Sequence, residues 1–334
     1  GRCKEAGRGE GWAVWVFVSL SNGGWGFYAS PPMGKTREIK KRIKAVGNIR
    51  RITKTMQMIA TAKFSAAQQR SVASRPYTDT LFELVSDLSA KVGESGDVSH
   101  PLLAPPSGGA GKSAPELTLV ITSDRGLCGP YNGSILRTFV QLTRANAAVK
   151  AGRVELVGKK GTAALKFNNI PVTRAHSFGD KPSYDTINDL AQAYIDAFSR
   201  GEVSAVRVVY MKYISAGRQI PTVMQLLPFK ADQVAVKKSV EPEKKSAWNL
   251  IYEFEPSAAE LLGELLPAAV KAVLFQAFND AIVSEHVARM IAMKAATDNA
   301  GKMGKRLTRQ YNRARQAQIT TELTEIIGGA AALE

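Results

Sequence analysis

The sequence predicts an α/β protein in which a long antiparallel coiled coil of the N- and C-terminal helices accompanies a central Rossmann-like α/β domain. Two long segments at the ends of the chain carry a helical apolar period with few breakers. The segment between them alternates short β-rich runs with helical ones, as α/β domains do. The 334 residues, 45% of them hydrophobic, suffice to bury a sizeable core.

The N-terminal helix is predicted over residues 33–95. No proline occurs from 35 to 75, and apolar residues recur there at threes and fours. This stripe consists of Ile39, Ile43, Val46, Ile49, Ile52, Met56 and Ile59. Pro76 is a potential kink, but the helical period resumes after it. We expect the stripe to pack against a second helix.

The middle of the chain is predicted to hold a linker at 96–115 and the α/β domain at 116–255. Gly, Ser and Pro dominate the linker. The predicted strands are 117–123, 153–158, 205–215, 221–229 and 249–254, and the predicted helices are 132–149 and 183–201.

The C-terminal helix is predicted over residues 256–334, with Ser257 as a potential cap and no proline between Ala268 and Ile327. At about 1.5 Å per residue such a helix reaches roughly 90 Å and needs a partner along its length. Its stripe is Val270, Leu274, Ala277, Ala281, Ala288, Ile291 and Ala295. Because one long helix enters the α/β domain and the other leaves it, the two must run antiparallel if they pack. The alternative is two core helices of an ordinary globule, which usually run only 8 to 20 residues.

Residues 1–32 differ in composition from the rest of the chain, being Gly- and Trp-rich with acids at Glu5 and Glu10. They match neither a transit peptide nor a secretory signal well. We expect translated upstream sequence or a tag in preference to a leader, with Met33 as a plausible natural start.

The formal charge of +16 points to nucleic acid, an anionic membrane surface or an acidic protein. Residues 33–75 hold twelve Lys or Arg and one acid, and residues 289–315 hold eight and one. Phe64 and Tyr311 are the only aromatic residues in these two runs, which weakens the nucleic-acid interpretation. An acidic protein cavity around the helices explains the same charge.

Signals for catalysis, metals and cofactors are weak, and we expect none of these sites. "GGAGKS" at 108–113 lacks the first glycine of a P-loop and precedes a strand, where the motif should follow one. His100, His176 and His286 are scattered, and Cys128 is more simply a packed small residue. The strongest apolar run, 12–20, is about half the length of a membrane span. A P-loop enzyme is nevertheless kept as an alternative class of function, which ATP hydrolysis by this chain alone would support.

Three stretches closely resemble the γ subunit of F-type ATP synthases. They are "TREIKKRIKAVGNIRRITKTMQMIATAKF", "SDRGLCGPYN" and "SEHVARMIAMKAATDNAGKMGKRLTRQYNRARQAQITTELTEIIGGAA". The resemblance extends in order from about 33 to 332. It implies a rotating central shaft whose partners are the α and β subunits, an ε-type subunit and the c-ring of the membrane rotor, with catalysis in the β subunits. A basic coiled-coil nucleic-acid binder is the alternative.

The resemblance also implies contact residues. Arg315, Gln316 and Thr320 match the family's polar contact with a β-subunit loop, and Glu322 lies in the same patch. A second pair, Met56 and Arg289, matches the neighbourhood where the two helices pass the lower lobes of the β subunits. For each residue, a plain solvent face or coiled-coil seam is the alternative. The end "EIIGGAAAL" resembles the shaft tip, which turns in an apolar sleeve.

The redox-sensing cysteine pair of chloroplast γ subunits has no counterpart here, so thiol regulation is not expected. We expect a peripheral protein on the cytoplasmic side of a bacterial plasma membrane, attached to the membrane only through partners. The matrix side of the mitochondrial inner membrane is the second possibility.

Overall fold

The computed structural model describes residues 16–19, 25–28, 34–95, 100–103, 114–229 and 258–333. The strands within them are β1 (Val16–Ser19), β2 (Trp25–Tyr28), β3 (Leu117–Ile121), β4 (Arg153–Val157), β5 (Arg174–His176), β6 (Val206–Ser215) and β7 (Arg218–Leu227). The helices are α1 (Gly34–Ser95), α2 (Tyr131–Ala145), α3 (Ala147–Lys150), α4 (Lys160–Phe167), α5 (Tyr184–Ser199) and α6 (Ala258–Ala331). This content confirms the predicted α/β class with long N- and C-terminal helices.

The chain divides into two compact units, each described separately below. The helical unit comprises Gly1–Lys54 and Ala295–Glu334, and the sheet unit comprises Thr55–Lys294. Both α1 and α6 contribute residues to each unit. Within the helical unit, β1 and β2 form an antiparallel pair in the N-terminal extension that the sequence analysis did not predict.

The sheet unit is built on five strands in the order β5-β4-β3-β6-β7. Strands β3 to β6 pair in parallel, and β7 closes the edge antiparallel to β6. Every residue of β3 is buried, as expected for a central strand covered on both faces. The chain winds from β3 out to β5 and then returns to the other side of β3, so the strand order reverses between β3 and β6.

Each face of the sheet carries its own apolar core. One core joins the sheet to α1, α5 and α6, with Val85, Ile187 and Leu274 fully buried. The other core joins it to α2, α3 and α4 through residues such as Ile135 and Leu165. The result is a three-layer arrangement in which α1 and α6 form part of the protein core.

The structure differs from the sequence prediction in several elements. The predicted helix 132–149 is interrupted at Asn146, whose extended backbone starts α3 and whose side chain accepts a hydrogen bond from the Ala148 amide. Helix α4 and strand β5 were not predicted, because both are short and lack a clear period. Pro76 and Pro267 lie inside helices that continue past them.

Three predicted features lie at the limits of the described residues. The predicted strand 249–254 and the cap at Ser257 fall outside them. Within the predicted linker, residues 100–103 form a turn in which Leu102 is buried, and the Phe229 amide donates to its carbonyl. This part of the linker therefore packs against the sheet unit.

The two long helices run antiparallel in each unit. In the helical unit, Thr36 bonds to Gln318 and Thr53 bonds to Thr297, so residue numbers rise on α1 as they fall on α6. In the sheet unit, Ser71 of α1 bonds to Asp280 of α6 and Ser74 bonds to Gln276, so the numbers again run in opposite directions. The predicted antiparallel pairing is confirmed.

The predicted packing face of α1 is wrong for its second half. In the helical unit Ile49 and Ile52 are 53% and 58% exposed, whereas Thr53 is buried. In the sheet unit Met56 and Ile59 are exposed, and the buried residues of α1 include Ala60, Ala67 and Ser71. Small side chains let two helices approach closely, and neighbouring residues point about 100° apart, so the larger Ile and Met side chains face outward.

The predicted stripe of α6 is correct from Val270 to Ala281, whose members are buried. Further along, Ile291 is 47% exposed and Ala295 is exposed, while Met293 and Thr297 are buried.

Helix α6 also contains an 18-residue window that is apolar enough to cross a membrane by length and composition, although no uninterrupted apolar run of that length was found in the sequence. Half of that window is buried inside the protein. A core helix of a soluble protein meets the same criterion.

Candidate functional site

Four of the predicted contact residues form an exposed patch near the end of α6, in the helical unit. All of Arg315, Gln316, Thr320 and Glu322 are exposed. Gln316 and Thr320 are one turn apart and share a helix face, and the Thr320 hydroxyl donates to the Gln316 carbonyl over 3.0 Å. We call these four residues the α6 polar patch.

The patch is connected to the start of α1 by Gln318. The Gln318 amide nitrogen donates to a carboxylate oxygen of Glu322 over 2.8 Å, and its amide oxygen lies 3.3 Å from the hydroxyl of Thr36. Glu322 is therefore oriented by a neighbour that also contacts the first turn of α1.

Within and beyond the patch, the C-terminal end exposes large apolar side chains. On α6 these are Ile319, Leu323, Ile326 and Ile327, and Leu333 follows the helix; each is more than half exposed. Apolar groups in such numbers at a helix end are typical of a surface that meets an apolar partner.

A basic groove lies between α1 and α6 in the helical unit. It has a volume of about 750 Å³, and small residues such as Gly47, Ala300 and Gly304 line its floor. Its lining cations are Arg50, Lys302, Lys305 and Arg309, against one carboxylate, Asp298. This charge matches an acidic partner surface.

The two remaining predicted residues lie in the sheet unit and differ in exposure. Met56 is 37% exposed on α1. The side chain of Arg289 on α6 is only 14% exposed, because it is engaged within the protein. The structure therefore places Arg289 among internal contacts of the sheet unit.

Arg289 holds the loop that follows β3. Its guanidinium donates to the carbonyls of Arg125 over 3.2 Å and Gly126 over 3.4 Å. The same group pairs with Glu285 over 2.5 Å, one turn earlier on α6. Two hydrogen bonds from the planar guanidinium thus join the helix to the backbone of the loop, and the ion pair with Glu285 holds the guanidinium in place on α6.

This loop presents Leu127 outward in a strained conformation. Leu127 has a φ of 63° and is 59% exposed. A non-glycine residue in the left-handed region costs of order 1–3 kcal/mol and persists only where its surroundings impose it. The bonds from Arg289 to Arg125 and Gly126 supply that constraint.

Helix α6 occupies the position where doubly wound sheets usually bind ligands. That position is the crevice at the carboxyl ends of the strands where the strand order reverses, here between β3 and β6. The Tyr131 hydroxyl donates to the Ala281 carbonyl over 3.1 Å, and the Ser284 hydroxyl donates to the Met211 carbonyl over 3.2 Å. Gly129, with φ of 57°, faces Ala292, so the loop backbone packs closely on the helix.

The loop between β5 and α5 contacts α1 at the same edge of the sheet. Asp180 forms an ion pair with Lys63 of α1, and Asp124 accepts hydrogen bonds from the Ser177 hydroxyl and the Lys159 amide. The cavity enclosed beside these residues measures about 30 Å³. That volume holds roughly one water molecule and is far too small for a nucleotide.

Burial determines the protonation of the groups on α6 at this edge. Burial raises the pKa of the Glu285 carboxyl, and the hydrogen bond from Arg289 partly offsets the rise. Burial and, second, the charge of Arg289 together lower the pKa of His286 to about 4. His286 is therefore neutral at pH 7. The hydrogen bond from Lys63 lowers the pKa of Asp180.

Sequence reasoning missed the contacts that join the helices to the sheet. Lys63 and Asp180 are 117 residues apart in the chain, and no local pattern links them. Asp280 carried a usable signal, since it is an acid one residue before Ala281 within a predicted apolar stripe.

Comparison with known proteins identifies the family. A family model described as ATP synthase matches residues 35–333. The ATP synthase gamma chain of Rhodopirellula baltica is 41% identical over 305 residues, which cover 90% of this chain and 100% of that protein. The chain belongs to the ATP synthase γ-chain family. The γ chain of Desulfitobacterium hafniense is 40% identical over 306 residues, with the same coverage.

Solved structures share the γ-chain fold. A chain of the Euglena gracilis mitochondrial ATP synthase, in an OSCP/F1/c-ring assembly in rotational state 3, matches with a TM-score of 0.59 at 19% identity, covering 90% of this chain and 95% of its own length. A chain from the rotor of the same enzyme in rotational state 1 matches with a TM-score of 0.56 at 19% identity, covering 86% and 99%. At this identity the likeness bears on the fold.

Proposed function

We propose that the chain is the rotating central-stalk subunit of an F-type ATP synthase, coupling ion movement through a membrane rotor to ATP synthesis or hydrolysis in β subunits. Membership of the ATP synthase γ-chain family carries this proposal. The structural neighbours come from assemblies described as a rotor and as F1 with a c-ring. The partners proposed here are therefore the α and β subunits, an ε-type subunit and the c-ring.

We further propose that the chain is not itself catalytic. The filling of the ligand-binding crevice by α6 supports this, because the loop that follows β3 packs against the helix at Gly129 and is bonded to Arg289. The mechanism is then mechanical: an asymmetric shaft favours a different conformation of each β site at each angle.

The exposed surfaces favour a shaft surrounded by protein. The α6 polar patch supplies hydrogen-bond donors and acceptors for a β-subunit loop, and the basic groove suits acidic side chains. Ile49 and Ile52 in the helical unit, and Met56 and Ile59 in the sheet unit, are exposed apolar residues that a partner would cover.

The curated relatives reported above are bacterial. We propose that this chain works on the cytoplasmic side of a bacterial plasma membrane, attached through its partners. Fractionation of membranes after low-salt washing tests the peripheral attachment, since a peripheral subunit is released with the catalytic head and an integral one is not.

The deciding experiment is reconstitution with purified α and β subunits. ATP hydrolysis is measured with and without this chain, with the chain alone as control, while a probe on the sheet unit reports rotation. Activity that needs all three chains, with rotation in one direction, is the expected result. ATP hydrolysis by the chain alone, or failure to join the αβ complex, would contradict the proposal.

A further inference from the structure

A polar junction joins α1, α6 and β6 inside the sheet unit. Asp280 on α6 accepts hydrogen bonds from the Ser71 hydroxyl over 3.3 Å, from the Arg75 guanidinium over 3.4 Å and from the Gln276 amide over 3.0 Å. Arg75 also donates to the carbonyl of Tyr213 on β6 over 3.4 Å. One carboxylate and one guanidinium therefore contact all three elements.

A second set of hydrogen bonds joins the same turns of α1 and α6. The Ser74 hydroxyl donates to the Gln276 amide oxygen over 2.9 Å and lies 3.4 Å from the Asn279 amide nitrogen. The Gln276 amide nitrogen also donates to the Ser71 hydroxyl over 3.2 Å. Residues on one turn of α1 are thus matched with residues on one turn of α6.

The junction is buried within an otherwise apolar contact. The Asp280 side chain is only 6% exposed, and Ser71 is 2% exposed. The neighbouring α6 residues Ala277 and Ala281 are buried at 2% and 1%. Arg75 is 41% exposed at its side chain, so the cation reaches the buried carboxylate from the rim.

Small apolar side chains alone specify helix register poorly. Alanine presents nearly the same surface at each turn, so a helix pair that slides by one turn keeps much of its apolar contact. A buried carboxylate has no such freedom. If α6 moved by one turn relative to α1, Asp280 would lose Ser71 and Arg75 and remain buried without a charged partner, which is strongly unfavourable.

We propose that Arg75 and Asp280 are positioning residues that lock α1, α6 and the sheet in one register, so that the helices and the sheet turn together when torque is applied. This inference rests on the proposed rotor function. In a rotor, a register slip inside the sheet unit would absorb part of each rotation step. Less of the rotation would then be passed on to the next subunit.

The test uses the membrane-bound complex containing this chain, with ATP-driven ion pumping and ATP hydrolysis measured on the same vesicles. Arg75→Met removes the charge and donors while keeping most of the stem. Arg75→Lys restores the charge. Arg70→Met is the matched control, because Arg70 lies on the same helix and, within the described part of the chain, its side chain donates to the Ala66 carbonyl of its own helix.

We expect Arg75→Met to lower the ratio of ions pumped to ATP hydrolysed by about twofold or more, since couplings within such networks commonly reach that size. Arg75→Lys should recover part of the ratio, and Arg70→Met should leave it unchanged. Spin labels on Ala73 of α1 and Glu264 of α6 should show a broadened distance distribution in Arg75→Met under turnover.

A double variant separates register from stability. Arg75→Met with Asp280→Leu replaces the charged pair by apolar side chains and is expected to recover part of the melting temperature that Arg75→Met loses, because no buried charge is left unpaired. Its pumping ratio should stay low, because the apolar contact does not restore the register. Normal pumping ratios in both Arg75→Met and the double variant, with unchanged label distances, would overturn the inference. A natural chain that supports neither rotation nor pumping would instead overturn the rotor function itself.

Discussion

The hydroxyl of Thr297 on α6 donates a hydrogen bond to the hydroxyl of Thr53 on α1 across 2.8 Å, inside the buried contact of the helical unit. Thr53 in turn donates to the Arg50 carbonyl over 3.1 Å. The buried contact thus contains a pair of threonines, whereas the apolar period of α1 predicted that isoleucine would face α6. Since this bond is buried, its two partners depend on each other.

Replacing Thr53 by Val should lower the free energy of unfolding by about 1 kcal/mol, because Thr297 then loses a buried acceptor. The double replacement Thr53→Val with Thr297→Val should cost less than the sum of the two single replacements, since both single replacements remove the same hydrogen bond. Urea unfolding of the isolated chain measures both. Equal and additive losses would show that the two hydroxyls are independent.

Arg289→Met should loosen the loop that contains Leu127. The variant removes the donors to Arg125 and Gly126 and leaves Glu285 buried without a charged partner, so we expect a loss of about 3 kcal/mol. Hydrogen exchange of residues 124–129 should become faster. Adding Glu285→Gln should recover stability while the loop stays mobile, and slow exchange in both variants would argue against this role.

Leu127→Gly should stabilise the same loop. Glycine adopts the φ of 63° without strain, and the leucine side chain is 59% exposed, so little buried apolar area is lost. We expect a gain of about 1 kcal/mol in the free energy of unfolding. Leu136→Ala in the adjacent helix is the contrasting variant. It should destabilise the protein, because the Leu136 side chain packs on the core.

Acidification should destabilise the sheet unit through His286. The pKa of this side chain is lowered to about 4 in the folded protein, against an ordinary value of 6.5, so the unfolded chain binds the proton first. Its contribution is therefore fully present above pH 6.5 and is lost as the pH falls towards 4, with an upper size of about 3 kcal/mol. The charges facing it are Arg289, Asp180, Lys63 and Arg70.

His286→Gln should remove this part of the pH dependence. Melting temperatures at pH 7.5 and pH 5 measure the difference. The natural chain should lose more stability between the two than the variant does. A parallel fall in both would assign the acid sensitivity to other groups.

Gln316→Ala with Thr320→Ala should weaken coupled ATP turnover in the reassembled complex while the fold stays intact. Loss of two interface hydrogen bonds corresponds to roughly a tenfold effect. Gln310→Ala, on a different face of the same helix, is the control. Unchanged turnover in the double variant, with normal circular dichroism in all three, would count against a partner contact at the α6 polar patch.

The sequence alone determined the types of the long elements, whereas the partner contact of the α6 polar patch stays a prediction whose four residues are exposed. Helical periodicity is a local property, and absence of proline over long segments leaves few alternatives to a helix. The order of one long helix, an alternating α/β segment and another long helix also required antiparallel pairing. The four residues of the patch could be proposed together because they lie within one short stretch, from Arg315 to Glu322.

Only the tertiary structure decided which face of α1 is buried and where Arg289 points. Periodicity identifies an apolar stripe, but the buried face depends on which side chains are small enough for the opposite helix, so Ala60 and Ala67 are buried while Ile59 is exposed. The resemblance made Arg289 a predicted partner contact, but in the folded chain its guanidinium bonds to the loop after β3. Contacts such as Lys63 with Asp180 and Arg75 with Asp280 join residues more than 100 positions apart, and their energies depend on burial, which no local sequence pattern reports.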